Sequence, residues 1–276
     1  MQQIKKITLV FFSPTGNTKK IVESIGNRLT EKLGLPVEQD DFTLPAAQSA
    51  ERIYSAEDLV VFGVPTYAGR VPNKVLPFVQ SLFKGNGAQA VAAVTFGNRS
   101  FDNSLSELHD ELEKNGFSVL GAAAVVCTHA FAEVGIDRPN TVDMEALAAF
   151  TDSIAEKLQK ETDVELPARI TVRRNEAFTA YYVPLGLDGK PVNFLKAKPA
   201  TDKAKCDNCG VCVKVCPTAA IDKNDVSLVP GTCIKCQACV FYCHTKAKYF
   251  DNELFLSHKA MLEQNYTRPA VSEFFV

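Results

Sequence analysis

Eight of the nine cysteines lie between Cys206 and Cys243, in two runs. The first reads Cys206-Asp-Asn-Cys209-Gly-Val-Cys212-Val-Lys-Val-Cys216-Pro217, a C-x2-C-x2-C-x3-C-P pattern. The second reads Cys233-Ile-Lys-Cys236-Gln-Ala-Cys239-Val-Phe-Tyr-Cys243-His244. Each cysteine of the second run stands 27 positions after its counterpart, and Val213, Thr218 and Ala220 repeat as Val240, Thr245 and Ala247. The segment is an internal duplication. Three thiolates so close together in one loop can wrap three irons of a cubane, and the fourth iron needs a cysteine from elsewhere. Structural zinc typically uses two C-x2-C pairs, four thiolates in all, and fits runs of this kind poorly. In a reducing compartment such a cluster reads as metal binding rather than disulfides. Cys127 stands apart and reads as a small buried hydrophobe.

A second chemistry sits near the N-terminus, in FFSPTGNTKK at 11–20. Ser13, Thr15, Gly16, Asn17 and Thr18 form a turn between an apolar run and a helical pattern. The hydroxyls of Ser13, Thr15 and Thr18 can donate hydrogen bonds, as can the backbone amides of a helix N-terminus, so the turn suits a terminal phosphate. It has neither the G-x-x-x-x-G-K-[ST] of a Walker loop nor a G-x-G-x-x-G fingerprint. The plainer alternative is a turn capped by Thr or Asn, with no ligand. Two later loops leave apolar runs toward the same edge: Val64-Pro65-Thr66-Tyr67-Ala68-Gly69-Arg70-Val71-Pro72 and Thr95-Phe96-Gly97-Asn98-Arg99-Ser100-Phe101-Asp102. A flat ring flanked by Tyr67 and by Phe101 or Phe96 would fit there, its heteroatoms bonded by loop N–H groups.

These residues resemble two families. Over roughly 1–160 the chain resembles the flavodoxins: their S/T-x-T-G-x-T phosphate loop matches Ser13–Thr18, and the loops that sandwich the isoalloxazine of FMN fall at 64–72 and 95–103. The resemblance implies FMN bound by Ser13, Thr15, Gly16, Asn17 and Thr18, by Pro65, Thr66, Tyr67, Ala68 and Gly69, and by Phe96, Gly97, Asn98, Arg99, Phe101 and Asp102. Ser100 departs from the family's loop pattern, and the chain has no tryptophan to lie beside the flavin. Arg99 near the flavin would favour its anionic reduced form; otherwise it is a solvated loop arginine. His129 is either a proton donor at the flavin edge or a solvated loop histidine. Over about 200–250 the chain is similar to bacterial two-cluster ferredoxins. That similarity implies one 4Fe–4S cluster on Cys206, Cys209, Cys212 and Cys243, and a second on Cys233, Cys236, Cys239 and Cys216. His244 replaces the proline that often follows the fourth cysteine, which leaves ligation by Cys243 intact. Taken whole, the chain resembles the flavodoxin–ferredoxin fusions, anaerobe-type electron carriers.

Several elements must position these groups. ITLVFF (7–12), DLVVFGV (58–64), QAVAAVTF (89–96) and SVLGAAAVVC (118–127) are near-continuous apolar runs, as strands of a buried parallel sheet are. The more polar PVEQDDF (36–42) suits an edge strand. Helical periodicity covers 18–34, 72–83, 102–116 and 143–161, with Gly34 and Gly116 where C-caps belong. The expected architecture is α/β: a flavodoxin-like doubly wound five-stranded parallel sheet, followed by a small α+β two-cluster ferredoxin-like domain. The expected divisions are 1–161 for FMN, 162–200 as a connector, 201–250 for the clusters, and 251–276 as a partly helical tail whose EFFV packs back on the body. Within the connector, Tyr181 and Tyr182 are expected to bridge the two halves.

The 276 residues are 46% hydrophobic and 22% charged, enough for a sizeable core. A formal net charge of −2 gives no bulk attraction to nucleic acid or to an anionic membrane. No apolar stretch approaches the ~20 residues of a membrane span. MQQIKKITLVFF runs into a strand without a small-residue cleavage site, so a cytoplasmic protein is expected. Two functions follow. One is an electron carrier between redox partner proteins. The other is an FMN-dependent reductase of a quinone or nitro compound, fed through the clusters. No NAD(P)H module is recognisable, and no nucleophile, base or carboxylate pair converges, which favours the carrier.

Overall fold

The structure is a computed structural model that describes residues 4–160, 170–176 and 180–276, so the parts of the expected connector at 162–169 and 177–179 lie outside the described residues. The elements run β1 (Lys6–Phe11), α1 (Asn17–Leu33), β2 (Val37–Asp41), β3 (Arg52–Ile53), β4 (Asp58–Pro65), α2 (Leu76–Leu82), β5 (Phe83–Lys84), β6 (Gln89–Phe96), α3 (Ser104–Lys114), β7 (Ser118–Val126) and α4 (Thr141–Lys160). The cysteine-rich part follows with β8 (Ala200–Thr201), α5 (Val211–Lys214), α6 (Ala238–Phe241), β9 (Lys248–Tyr249), α7 (Glu253–Asn265) and β10 (Glu273–Phe275).

The main sheet has the order β10-β7-β6-β4-β1-β2. Its five strands from the first half are parallel, in the doubly wound order that places a ligand beyond their C-terminal ends, where the order reverses between β1 and β4. β4, β6 and β7 are buried on both faces, as their unbroken apolar runs require. β2, half-exposed and acidic, takes the edge. Two apolar layers flank the sheet. One packs α1 and α4 against Leu9, Val61 and Val125; the other packs α2 and α3 against Phe62, Val94 and Val126. α1 ends at Gly34, whose φ of 67° only glycine adopts without strain. α2 is shorter than the 72–83 pattern, because Pro77 has no N–H to donate to Asn73 O, so the helix starts beside it. No described helix is long and apolar enough to cross a membrane.

The sheet differs from expectation by a sixth strand. β10 pairs antiparallel with β7, Glu273 opposite Ala124 and Phe275 opposite Ala122. Three residues are too few to show a strand period in sequence. An ion pair anchors this strand. Asp143, buried at the start of α4, accepts from the Arg138 guanidinium, from Asn140 N at 2.9 Å and from Ser272 Oγ at 2.9 Å. Burial alone would raise the Asp143 pKa, but the hydrogen bonds from Arg138, Asn140 and Ser272 outweigh it and hold the carboxyl below the usual range. A carboxyl so depressed stabilises the fold fully above the ordinary aspartate value of about 3.9, and the contribution is lost as pH falls through the folded value. Asp143→Asn is therefore expected to cost about 2 kcal/mol at pH 7 and to flatten the acid limb of the stability curve. Urea unfolding at pH 7 and pH 3 reads both, and an unchanged acid limb would remove Asp143 from the account.

The duplication seen in sequence recurs in the backbone. α5 and α6 are equivalent four-residue turns, capped by Gly210 (φ 73°) and Gln237 (φ 67°). Asn208 and Lys235, and Ala219 and Lys246, form two further pairs of left-handed residues at matching positions. Glutamine, lysine and alanine rarely adopt this conformation, so the repeated pattern reflects one loop geometry imposed twice.

Candidate cofactor sites

The fold turns each cysteine run back so that its fourth cysteine reaches the other run's loop. One cavity is lined by Cys206, Cys209, Cys212 and Cys243. The other is lined by Cys216, Cys233, Cys236 and Cys239. Equivalent bonds hold the crossing cysteines. Ala220 N donates to Cys216 Sγ and Ala247 N to Cys243 Sγ, both at 3.2 Å. Such N–H groups stabilise a thiolate sulfur and suit an anionic metal centre. Burial pushes the Cys239 thiol up to about 12 and raises Cys236 and Cys233 as well. Unligated, these thiols stay protonated; bonding to iron would displace the proton. The donor set is thus four sulfurs per cavity in apolar surroundings, which fits a cubane. His244 lines neither cavity. Its Nε2 lies 2.9 Å from Asp207 Oδ2, and both residues are exposed.

The anion turn sits at the end of β1. Gly16 takes φ 90° as the N-cap of α1. Ser13 Oγ accepts from Lys19 N at 2.9 Å, which leaves the Ser13 hydroxyl proton free to donate. Thr15 is half-buried beside it. The first amides of α1 have no intrahelical acceptor and complete a donor set that fits a phosphate. Asn17 Nδ2 donates instead to Thr128 O at 3.3 Å, which ties the turn to the loop after β7. Thr18 departs from expectation. It is 2% exposed and its Oγ1 pairs with Thr95 Oγ1 at 2.8 Å, so its hydroxyl faces the core.

The ring loops depart further. Phe96 and Phe101 are core residues, 5.4 Å apart between ring centroids, with Arg173 over the Phe101 ring; neither flanks a ligand where it stands. Pro65 closes β4, and Thr66 Oγ1 pairs with Ser104 Oγ at 2.6 Å. Tyr67 and Arg70 exchange backbone hydrogen bonds, which makes residues 67–70 a tight turn. Ala68 is exposed at its tip, with φ 49°. A Cβ on Gly69 would lie 2.2 Å from Asp102 Oδ2, so glycine there lets the two ring loops touch. Arg99 is not a free cation: its guanidinium pairs with Asp102 and lies 4.1 Å from the Tyr182 ring centroid. Ser100 Oγ donates to Asp102 Oδ1 at 2.6 Å and fixes that carboxylate. The Asn98 side chain faces inward, 3% exposed, and clamps the tail. It donates to Tyr266 O at 2.6 Å and Arg268 O at 3.1 Å, and accepts from Ala270 N at 2.9 Å.

His129 packs against Gly97, where a Cβ would come within 2.3 Å of its ring. Its Nδ1 accepts from Phe131 N and Ala132 N, which leaves the ring proton on Nε2. Burial, with help from His258 and Arg99, lowers its pKa to about 4, so it is neutral at pH 7 and caps a turn. Cys127 is 2% exposed, and burial pushes its thiol up to about 12.

The cysteine segment lies against this edge of the sheet. Burial raises the Tyr67 phenol well above its usual range, and Cys236 and Cys233 are near enough to push it further. Ile234, between those cysteines, packs on the core of the first half, and Gln48 Nε2 donates to Pro217 O at 3.2 Å. At the anion turn a Cβ on Gly16 would lie 3.8 Å from Tyr242 Oη, a residue that no sequence signal marked. The described connector crosses the ring loops: Tyr182 N donates to Ala68 O at 2.8 Å and Tyr181 Oη to Val71 O at 2.7 Å.

The family model of the 4Fe-4S binding domain matches residues 199–222. None of the curated proteins matches the chain. Among solved structures, a flavodoxin from the domain Archaea is 21% identical over 56% of this chain and 99% of its own, at a TM-score of 0.39. Oxidised Flavodoxin 2 from Bacillus cereus is 17% identical over 55% of this chain and 99% of its own, at 0.42. Two-electron reduced Megasphaera elsdenii flavodoxin is 20% identical over 54% and 98%, at 0.36. The strand order β2-β1-β4-β6-β7 carries the fold assignment on its own. The chain sets a 4Fe–4S binding domain behind a flavodoxin-like α/β domain, an arrangement that fits a flavodoxin–ferredoxin fusion.

Proposed function

We propose that the protein is an electron carrier, with FMN on the first-half sheet edge and two 4Fe–4S clusters in the crossed cysteine cavities, serving redox partner proteins in the cytoplasm. FMN would supply a one-electron to two-electron exchange, and each cluster a single-electron store. The observation that carries the reading is the packing of the inner cysteine cavity on the first half: Ile234, on the cavity wall, packs against the core of the first half, and Gln48 Nε2 donates to Pro217 O at 3.2 Å. Ser13, Thr15 and the first amides of α1 would hold the phosphate end, and Tyr67 and the 97–102 loop would bound the ring end. Joining the modules in one chain keeps them at high effective concentration, so exchange need not await collision. Tyr181 and Tyr182 lie over the ring loops, which supports a carrier over a reductase with an open substrate pocket.

The test is anaerobic. Purified protein should carry about eight irons and eight sulfides per chain and release FMN on acid treatment. Dithionite or a reduced ferredoxin-type donor should reduce it, whereas NADH or NADPH alone should act slowly. A partner protein should accept electrons faster than quinones or nitroaromatics do. Rapid NAD(P)H-driven quinone reduction that survives loss of the clusters would instead establish the reductase.

A further inference from the structure

The two cavities are related by the internal duplication, and their walls correspond residue by residue. Cys216, Thr218 and Ala220 line one; Cys243, Thr245 and Ala247 line the other. The walls differ at Asp207 against Ile234, at Gly210 against Gln237, and at the next wall position. The inner cavity has Ile221, and the outer cavity, 27 positions on, has Lys248. Lys248 is no surface lysine. It is 3% exposed, in β9, and its Nζ donates to Val226 O at 2.5 Å. Ile221 is 5% exposed, in an apolar cluster with Cys212 and Cys239.

A buried ammonium is costly unless a negative charge faces it. Among the described residues no carboxylate lies within ion-pair distance of Lys248. Asp225 is close enough to feel its charge but is exposed. Asp207, on the outer cavity wall, is exposed and turned to His244, so water screens it. Lys248 stands on the wall of a cavity lined by four cysteines. Burial raises the Cys212 and Cys239 thiols, and Lys248 pulls both the other way, although the two belong to different cavities.

We infer that Lys248 is a counter-charge of the iron–sulfur centres and raises the reduction potential of the outer one, on Cys206, Cys209, Cys212 and Cys243, on whose wall it stands. The inference rests on the two-cluster reading above. Adding an electron makes a cluster more negative, and a fixed cation in a low-dielectric wall stabilises the reduced form more than the oxidised. At the matching wall position Ile221 offers the inner centre no charge; the cations beside that centre are Lys235, whose Nζ donates to Cys233 O at 3.2 Å, and Lys198. Lys248 is a tuning residue, acting through charge and not through ligation.

The experiment is an EPR-monitored anaerobic redox titration of the full-length, cluster-loaded protein and its Lys248→Ile variant, which installs the residue of the sister cavity. In the variant the midpoint of the outer centre should fall, so that at its wild-type midpoint the ratio of reduced to oxidised cluster drops about ten-fold, about 59 mV for a one-electron couple. Lys248→Arg should restore the wild-type value, and Lys248→Met should repeat the shift should the isoleucine chain fail to take up iron. Unchanged midpoints in a fully loaded Ile or Met variant would overturn the inference, as would an Arg variant that shifts as far as they do. A wild-type content of four irons would overturn the two-cluster reading itself, independently of any shift.

Discussion

Cys216→Ser protein is expected to lose about half its iron, and the iron it loses should belong to the second cysteine run. Cys216 sits in the first run but lines the cavity of Cys233, Cys236 and Cys239. The cavity of Cys206, Cys209 and Cys212 takes Cys243 instead and should stay filled. Double variants make the crossing testable without resolving the two spectra. Cys216→Ser combined with Cys233→Ser should lose no more iron than either alone, because both strike one centre. Cys216→Ser combined with Cys206→Ser should lose nearly all of it. Residues that act as one unit are non-additive, and residues of separate units add. The opposite pairing of outcomes in iron and sulfide assays would mean that each run keeps its own fourth cysteine.

Asn98→Ala should be the most damaging change outside the cysteines. The Asn98 amide is buried and satisfies two carbonyls and one N–H of residues 266–270. Removing it costs about 1–3 kcal/mol for each group left unpaired, and water relieves part of this, because Arg268 is exposed while Tyr266 and Ala270 are half-buried. A net loss of about 3 kcal/mol in thermal or urea unfolding is expected. The loss should be local first: hydrogen exchange should rise at 266–275 while the amides of β4 and β6 keep their protection. If protection falls uniformly, the tail is not a separable latch and Asn98 serves the whole sheet.

Much of this was legible because it is local. Ligand spacing and the 27-residue repeat are set within one loop, and they identified the same eight cysteines that line the cavities. β1, β4, β6 and β7 declared themselves because burial on both faces leaves an unbroken apolar run. The loops were less readable. Phe96 and Phe101 sit where aromatics would flank a ring, but a loop has no period to show which way a side chain turns, and both turn inward. Thr18 carries a hydroxyl like Ser13 and Thr15; only the neighbouring Thr95, far along the chain, shows that it is buried. Asn98 looks like a ligand-binding loop residue, and its partners lie about 170 positions away. Lys248 looked unremarkable until its counterpart Ile221 was seen on the matching wall.

β10 has a bearing on how the molecule is made. The strand that covers the β7 edge lies beyond both cysteine runs in the chain, so the parallel sheet can form long before its last edge is closed. Until then Ala122, Ala123 and Ala124 present unpaired backbone groups, the kind of open edge on which chains stick to one another. Closing it requires residues 266–275 to reach back past 202–252. With the clusters proposed above in the cysteine cavities, a chain starved of iron is expected to close this edge late and to aggregate more readily, and the yield of soluble chain made with and without iron would read the difference.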